Sequence, residues 1–310
     1  MTIKLLSLIP PHRYYIEVFG GGASLLFAKR PALVETYNDL DHGLVSLFRV
    51  LRDESKFAKF YKLVSGIPYA RSEYNYCRST WEETEDEIEK AVKWYVVARM
   101  SFSGIFVTSW GSVVTKSNRK RAETVSGWLM AIENLPAIHK RLVDVQIECS
   151  DWRIILDRYH DGENYLAYLD PPYMAETRKS GGYKHEMTKE DHEELIQRII
   201  EYPSMAMLSA YPHELYNQLS DHGWEKTEFK TACSIVGRTR ASGIQGKGSA
   251  MEMQPRTEVV WRNPMALEKW RRQKGETLFE LHDLAHTDSG PAAACKDSKG
   301  TSAAVTAAIW

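Results

Sequence analysis

Apolar and polar positions along this chain change period repeatedly. Short runs rich in β-branched and aromatic residues read as strands: Tyr14–Phe19, Leu33–Tyr37, Val143–Cys149, Tyr165–Leu169, Met205–Ser209, Lys226–Val236 and Thr257–Trp261. Helical periodicity fills the intervals, notably Thr188–Glu201, which opens on the capping pattern Thr188-x-x-Asp191. Strands alternating with helices predict an α/β fold with a mostly parallel sheet and helices on both faces. The last two strands lie too close together for a crossover helix and are expected to pair as an antiparallel hairpin at one edge.

One long stretch departs from this alternation. Residues 53–134 read as helical and as an insert that divides the core into a first part, 1–52, and a second part, 135–264. Its clearest helix is expected to start at Ser79-x-x-Glu82 and to carry Ile88, Ala91, Val92, Tyr95, Val96 and Phe102 on one stripe. Arg99 shares that stripe, either as a snorkelling edge residue or turned inward towards a phosphate or base. Residues 265–310 form a charged helix-like piece and then an Ala/Gly/Ser/Thr-rich tail from about His286, of the composition that stays disordered.

Charge is informative through its distribution, since the net value is only −1. Between Lys90 and Ala122 there is no acid, but there are seven basic residues: Lys90, Lys93, Arg99, Lys116, Arg119, Lys120 and Arg121. Aromatic residues are interleaved with them. Phe229–Met251 is likewise free of acids and contains Lys230, Arg238, Arg240 and Lys247. These stretches read either as solvated faces or as surfaces that track phosphates. The four cysteines are scattered without a paired motif, which suggests no metal site or disulfide framework and favours a reducing cytoplasm. No apolar run approaches membrane-spanning length.

Two motifs carry the candidate chemistry. Asp170-Pro171-Pro172-Tyr173 ends the apolar run Tyr165–Leu169. It places a carboxylate, a stiff turn with a free carbonyl and an aromatic face together, which suits a flat base bearing an exocyclic amine. Upstream, Phe19-Gly20-Gly21-Gly22 follows the first strand, where glycines let backbone approach a ligand closely. Leu25 occupies the third position of a dinucleotide fingerprint, and no Gly-Lys-Ser/Thr follows, so neither that motif nor a P-loop is present. Asp39, after the second strand, stands where a ribose diol is usually held, or caps the next helix.

In this order, and with a large insert between them, the two motifs resemble the Dam-type, D12 class DNA adenine-N6 methyltransferases of the alpha group. The resemblance runs from about Leu5 to Trp261. It includes Arg99-x4-Gly104, Trp110-Gly111, Ser150-Asp151-Trp152, the His185–His192 segment and Arg256–Trp261. It implies a Rossmann-like methyltransferase sheet with an inserted helical target-recognition domain, S-adenosylmethionine as cofactor and double-stranded DNA as partner, with the protein expected to be a monomer. By the same resemblance Phe19 to Gly22, Asp39, Asp151 and Trp152 hold the cofactor, the alternative for Asp151 being a helix cap. Asp170, Pro171, Pro172 and Tyr173 form the catalytic turn. Arg99, Lys116, Arg119, Lys120, Arg121, Arg238, Arg240 and Lys247 are the DNA-binding candidates. Tyr183 and His185 either close over a flipped base or belong to a polar surface loop.

The chain departs from the family pattern at three places. An aromatic-Pro-Gly-Gly-Lys segment usually precedes the first strand, and Met1 falls downstream of it. Val18 stands where proline is common, and Ala210 where glycine is. The first departure implies a shortened start, a piece supplied by another chain, or a weakened enzyme. The alternatives to a DNA adenine methyltransferase are a DNA-binding homologue that has lost catalysis, or a methyltransferase acting on protein glutamine or RNA. Nothing in the chain fixes a recognition sequence.

Overall fold

The computed structural model describes residues 2–102, 106–113, 117–118, 120–160, 162–177, 184–232 and 255–275. Lys116, Arg119, Tyr183, Arg238, Arg240, Lys247 and the tail beyond 275 lie outside the described residues.

A seven-stranded sheet forms the frame. In chain order its strands are β1 (Tyr14–Glu17), β2 (Val34–Asn38), β5 (Val145–Glu148), β6 (Tyr165–Leu169), β7 (Met205–Ala210), β8 (Glu225–Ala232) and β9 (Pro255–Arg262). Across the sheet they run β5-β2-β1-β6-β7-β9-β8. The first five pair in parallel, while β9 pairs antiparallel with both β7 and β8. This is the expected Rossmann-like arrangement, with the antiparallel hairpin at one edge. The strand order reverses between β1 and β6, the switch point at which ligands of open α/β sheets bind.

Strict alternation sorts the strand residues to two faces. Tyr15, Tyr37, Leu166, Tyr168, Met205, Met207 and Val260 join one buried cluster. Ile16, Ala167, Leu169, Ala206, Leu208, Val259 and Trp261 join the other. The second face is covered by α8 (Trp152–Arg158), α9 (Lys189–Ile200) and α10 (Gln218–Asp221). Thr188 and Asp191 form the predicted capping box of α9.

The first face is covered by α1 (Thr2–Leu6), α2 (Ser24–Ala28) and α3 (His42–Arg52), and through α3 by the inserted helices. These are α4 (Glu54–Ser65), α5 (Arg71–Thr80), α6 (Glu87–Met100) and α7 (Glu123–Leu142), with a small hairpin of β3 (Ser117–Asn118) and β4 (Arg121–Ala122). Helix α11 (Pro264–Lys274) closes the described chain.

The insert differs from expectation in three respects. Ser79 lies in the last turn of α5, where its hydroxyl donates to the Tyr76 carbonyl, so it starts no helix. The long helix α6 begins instead at Glu87, with the Asp86 carboxylate accepting from the Glu89 N–H. Nor is α6 a one-stripe helix, because Ala91 to Ala98 and Met100 are all buried. Finally, α7 runs unbroken across the expected boundary near residue 134, carrying Pro136 within it. The insert and the core helices share one continuous cluster of buried side chains.

Candidate active site

A cavity of about 770 Å³ opens at the carboxyl ends of β1 and β6. Its lining includes Phe19, Gly20, Gly21, Gly22, Asp39, Asp151, Trp152, Asp170, Pro172 and Tyr173, so both motifs face the same space. Pro171 is buried just behind them. This volume falls within the usual range for small-molecule and cofactor sites, roughly 300–1,000 Å³.

The glycine turn is held from behind. Gly20 N–H donates to the Asn38 carbonyl at 2.7 Å, and the Tyr37 hydroxyl donates to the Gly21 carbonyl at 2.7 Å. A Cβ on Gly20 would lie 2.1 Å from the Tyr37 ring and 2.9 Å from the Asn38 carbonyl oxygen, so only glycine lets the turn sit this close to β2. Gly21 has φ +47°, and a Cβ there would meet nothing within 4 Å. The turn therefore offers the cavity bare backbone in a conformation that suits glycine.

Asp39 faces this turn from the end of β2. Its carboxylate accepts from Gly21 N–H (2.8 Å) and from Asp41 N–H (2.7 Å), leaving lone pairs for a ligand's hydroxyls. Burial raises its pKa, while those two hydrogen bonds oppose the shift. Asp41, not Asp39, caps α3, accepting from Gly43 N–H at 2.9 Å. Asp151 does cap α8, accepting from Arg153 N–H at 2.9 Å, and it also lines the cavity beside the buried Trp152. Capping and ligand binding are thus compatible at this residue.

One side chain missing from the sequence expectations joins these loops. Asn38 is buried; its amide donates to the carbonyls of Val18 (2.8 Å) and Ser150 (3.0 Å) and accepts from Ser150 N–H (2.9 Å). It thereby ties together the ends of β1, β2 and β5. Glu17 was missed as well. It is buried at the end of β1 and accepts from the Tyr15 hydroxyl (2.9 Å) and Leu26 N–H (2.5 Å). Burial pushes its pKa up to about 8. The available signal was alternation, which puts residue 17 on the same inward face as residue 15.

At the Asp170–Tyr173 turn, burial raises the Asp170 pKa to about 7; hydrogen bonds from Tyr173 and Tyr168 oppose that, and the Glu258 charge reinforces it. The Tyr173 ring lies against Tyr211, with centroids 4.2 Å apart. Across the cavity stand Lys184, His185, Glu186 and Met187. Lys184 reaches Asp41 at 3.3 Å and lies over the Trp81 ring of the insert at 5.6 Å.

The basic candidates of the insert separate. Lys120 and Arg121 are exposed at the hairpin. Arg99 points into the insert, where it sits beside Tyr95 and Tyr69 and donates to the Gly127 carbonyl at 3.4 Å. Lys93 also turns inward; it is 6 % exposed and paired with Glu89 at 2.9 Å. Among the described residues no His/Cys/Asp/Glu group could hold a metal, and no helix is long and apolar enough to cross a membrane.

No curated protein matches this sequence. A family model does, over residues 3–233, which takes in the glycine turn, the insert, the Asp170–Tyr173 turn and most of the sheet. With this match over most of its length, the chain belongs to the D12 class N6 adenine-specific DNA methyltransferases.

Proposed function

We propose that this protein methylates adenine N6 in double-stranded DNA by direct displacement, on a base turned out of the duplex into the cavity described above. The observation that carries this reading is that Asp170 and the Phe19–Gly22 turn line one cavity. A donor on the turn and an acceptor at the carboxylate would thus face each other with no intervening wall.

S-adenosylmethionine, when bound, supplies a methyl group on a positively charged sulfur. The residues present fit such a molecule. The open backbone at Gly21 accommodates its amino-acid portion, the spare lone pairs of Asp39 suit a ribose diol, and Asp151 with Trp152 offers an acceptor and a flat face to its adenine.

Adenine N6 is a poor nucleophile because its lone pair is delocalised into the ring. Asp170 and the Pro171 carbonyl accept its two hydrogens and favour a pyramidal nitrogen whose lone pair points outward. Tyr173 stacks on the base. That contact is worth roughly 1–3 kcal/mol, which offsets part of the few kcal/mol needed to unstack a base. Lys120 and Arg121, both exposed at the hairpin, are the basic side chains among the described DNA-binding candidates that are free to meet phosphates. Arg99 acts from inside the insert by fixing α6 against α7.

Incubating the purified chain with methyl-labelled cofactor, duplex DNA and a protein mixture tests this reading. Label should appear in DNA as N6-methyladenine and be absent from protein. Label on protein alone, or cofactor binding without transfer to any DNA, would overturn it.

A further inference from the structure

Arg153 lines the cavity but has no part in the scheme above. Its guanidinium is gripped by two acids of α9: Nε donates to Glu194 at 2.8 Å and Nη2 to Asp191 at 2.6 Å. Both acids are themselves fixed. The second Asp191 oxygen accepts from Thr188 N–H at 2.9 Å in the capping box, and the second Glu194 oxygen accepts from Arg198 at 3.0 Å. Arg198 in turn donates to Asp157 of α8 at 2.8 Å. Helices α8 and α9 are thus laced by ion pairs, with Arg153 and Asp191 where the lacing meets the cavity.

The remaining arm of the fork turns to Asp151. Nη1 lies 3.4 Å from Oδ1 and 3.3 Å from Oδ2. These contacts are longer than those to α9, so the α9 acids hold the guanidinium and the guanidinium in turn steadies Asp151. Arg153 N–H adds the cap bond to Oδ1 at 2.9 Å. Oδ1 therefore takes two donors and Oδ2 one, and a carboxylate oxygen has about two lone-pair sites. Among the described contacts, Oδ2 keeps room for a further donor. Arg153 also reaches the ring beside Asp151, its guanidinium carbon lying 4.4 Å from the centre of the Trp152 ring. These side chains are all part exposed, so each ion pair adds little stability by itself. What the set provides is a planar fork in a fixed orientation.

We propose that Arg153 is a positioning residue for the donor's adenine: it presents the Asp151 carboxylate to the 6-amino group and so makes the site prefer a 6-aminopurine to a 6-oxopurine. A 6-oxo group brings a lone pair instead of a hydrogen to Oδ2, and acceptor then faces acceptor. The inference rests on the methyl-transfer reading and deepens it by naming what selects the base of the donor.

Calorimetry on the full chain measures the affinities of S-adenosylhomocysteine and its 6-oxo counterpart, S-inosylhomocysteine, for wild type, Arg153→Gln and Arg153→Lys. Wild type should prefer the amino form by roughly 10–100-fold, the usual value of one hydrogen bond to a charged group. In R153Q that preference should shrink by at least about threefold. R153K keeps the charge and the aliphatic stem but cannot span Asp151 and α9 as a fork, and should fall between. Circular dichroism checks that each variant is folded. The ratio of the two affinities isolates the role, because a general loosening of the pocket weakens both ligands alike. An undiminished preference in either folded variant overturns the assignment, as does a wild type that binds both ligands equally. Wild-type protein that prefers the amino form yet methylates no DNA, or that binds neither ligand, removes instead the reading on which the inference rests.

Discussion

Burial discourages the charge of Asp170, which under the proposed function would accept hydrogen bonds from the target amine. Replacing it with alanine should lower turnover by roughly 10²–10³-fold, the usual loss for one preorganised polar contact. Cofactor affinity measured by calorimetry should remain, because Gly21, Asp39 and Asp151 lie on other loops. Glu17 makes a different prediction. An acid with a pKa of about 8 in the fold and 4.5 when unfolded keeps its proton in the native state over that interval. Its stabilising share is therefore complete below about pH 4.5 and fades as pH rises to about 8, and Asp170 adds to the same trend. Glu17→Gln keeps an oxygen for Tyr15 and Leu26 without the titration. Urea unfolding at about pH 5 and about pH 8 should show a wild-type loss of a few kcal/mol that is clearly smaller in the variant, where only the share of Asp170 remains. Asp170 was legible in the sequence because its turn has a distinctive composition. Glu17 and Asn38 were not, since each is one polar residue in a strand, and only burial and register reveal its role.

At the scale of elements, capping chemistry explains both a success and an error. Thr188-x-x-Asp191 marks a real helix start, while Ser79-x-x-Glu82 falls at a helix end. The same letters serve in both places because a serine hydroxyl can also bond back to a carbonyl of its own helix. Asp86→Ala should therefore cost about 1 kcal/mol of stability in a denaturant titration, whereas Ser79→Ala should change it by only a few tenths. Helix α6 also shows why periodicity gave a stripe too narrow. Its small and β-branched positions, such as Ala91, Val97 and Ala98, face neighbouring helices on several sides, and a helix wrapped in this way has no polar face to set a period. Strand β6, buried along its whole length, was read without error as Tyr165–Leu169, for an uninterrupted apolar run between turn residues leaves little freedom.

Among the described residues, the inserted helices and the sheet share one buried cluster. Phe60, Tyr95 and Trp128 of the insert share a buried cluster with Tyr15, Tyr37 and Leu166 of the sheet face. Tryptophan fluorescence and far-ultraviolet dichroism should consequently trace coincident unfolding curves in urea, and an early transition of the insert would refute this. Alternation of strands and helices indicated the sheet in outline, but sequence patterning could not show that the inserted helices continue the same core, because that depends on contacts between distant segments. Asn38 gives this integration a practical meaning. Three loops hang from a single amide, so even its exchange for aspartate would disturb the ends of β1, β2 and β5 together. Anyone diversifying the cavity should leave that position fixed and vary Leu40 on its wall instead.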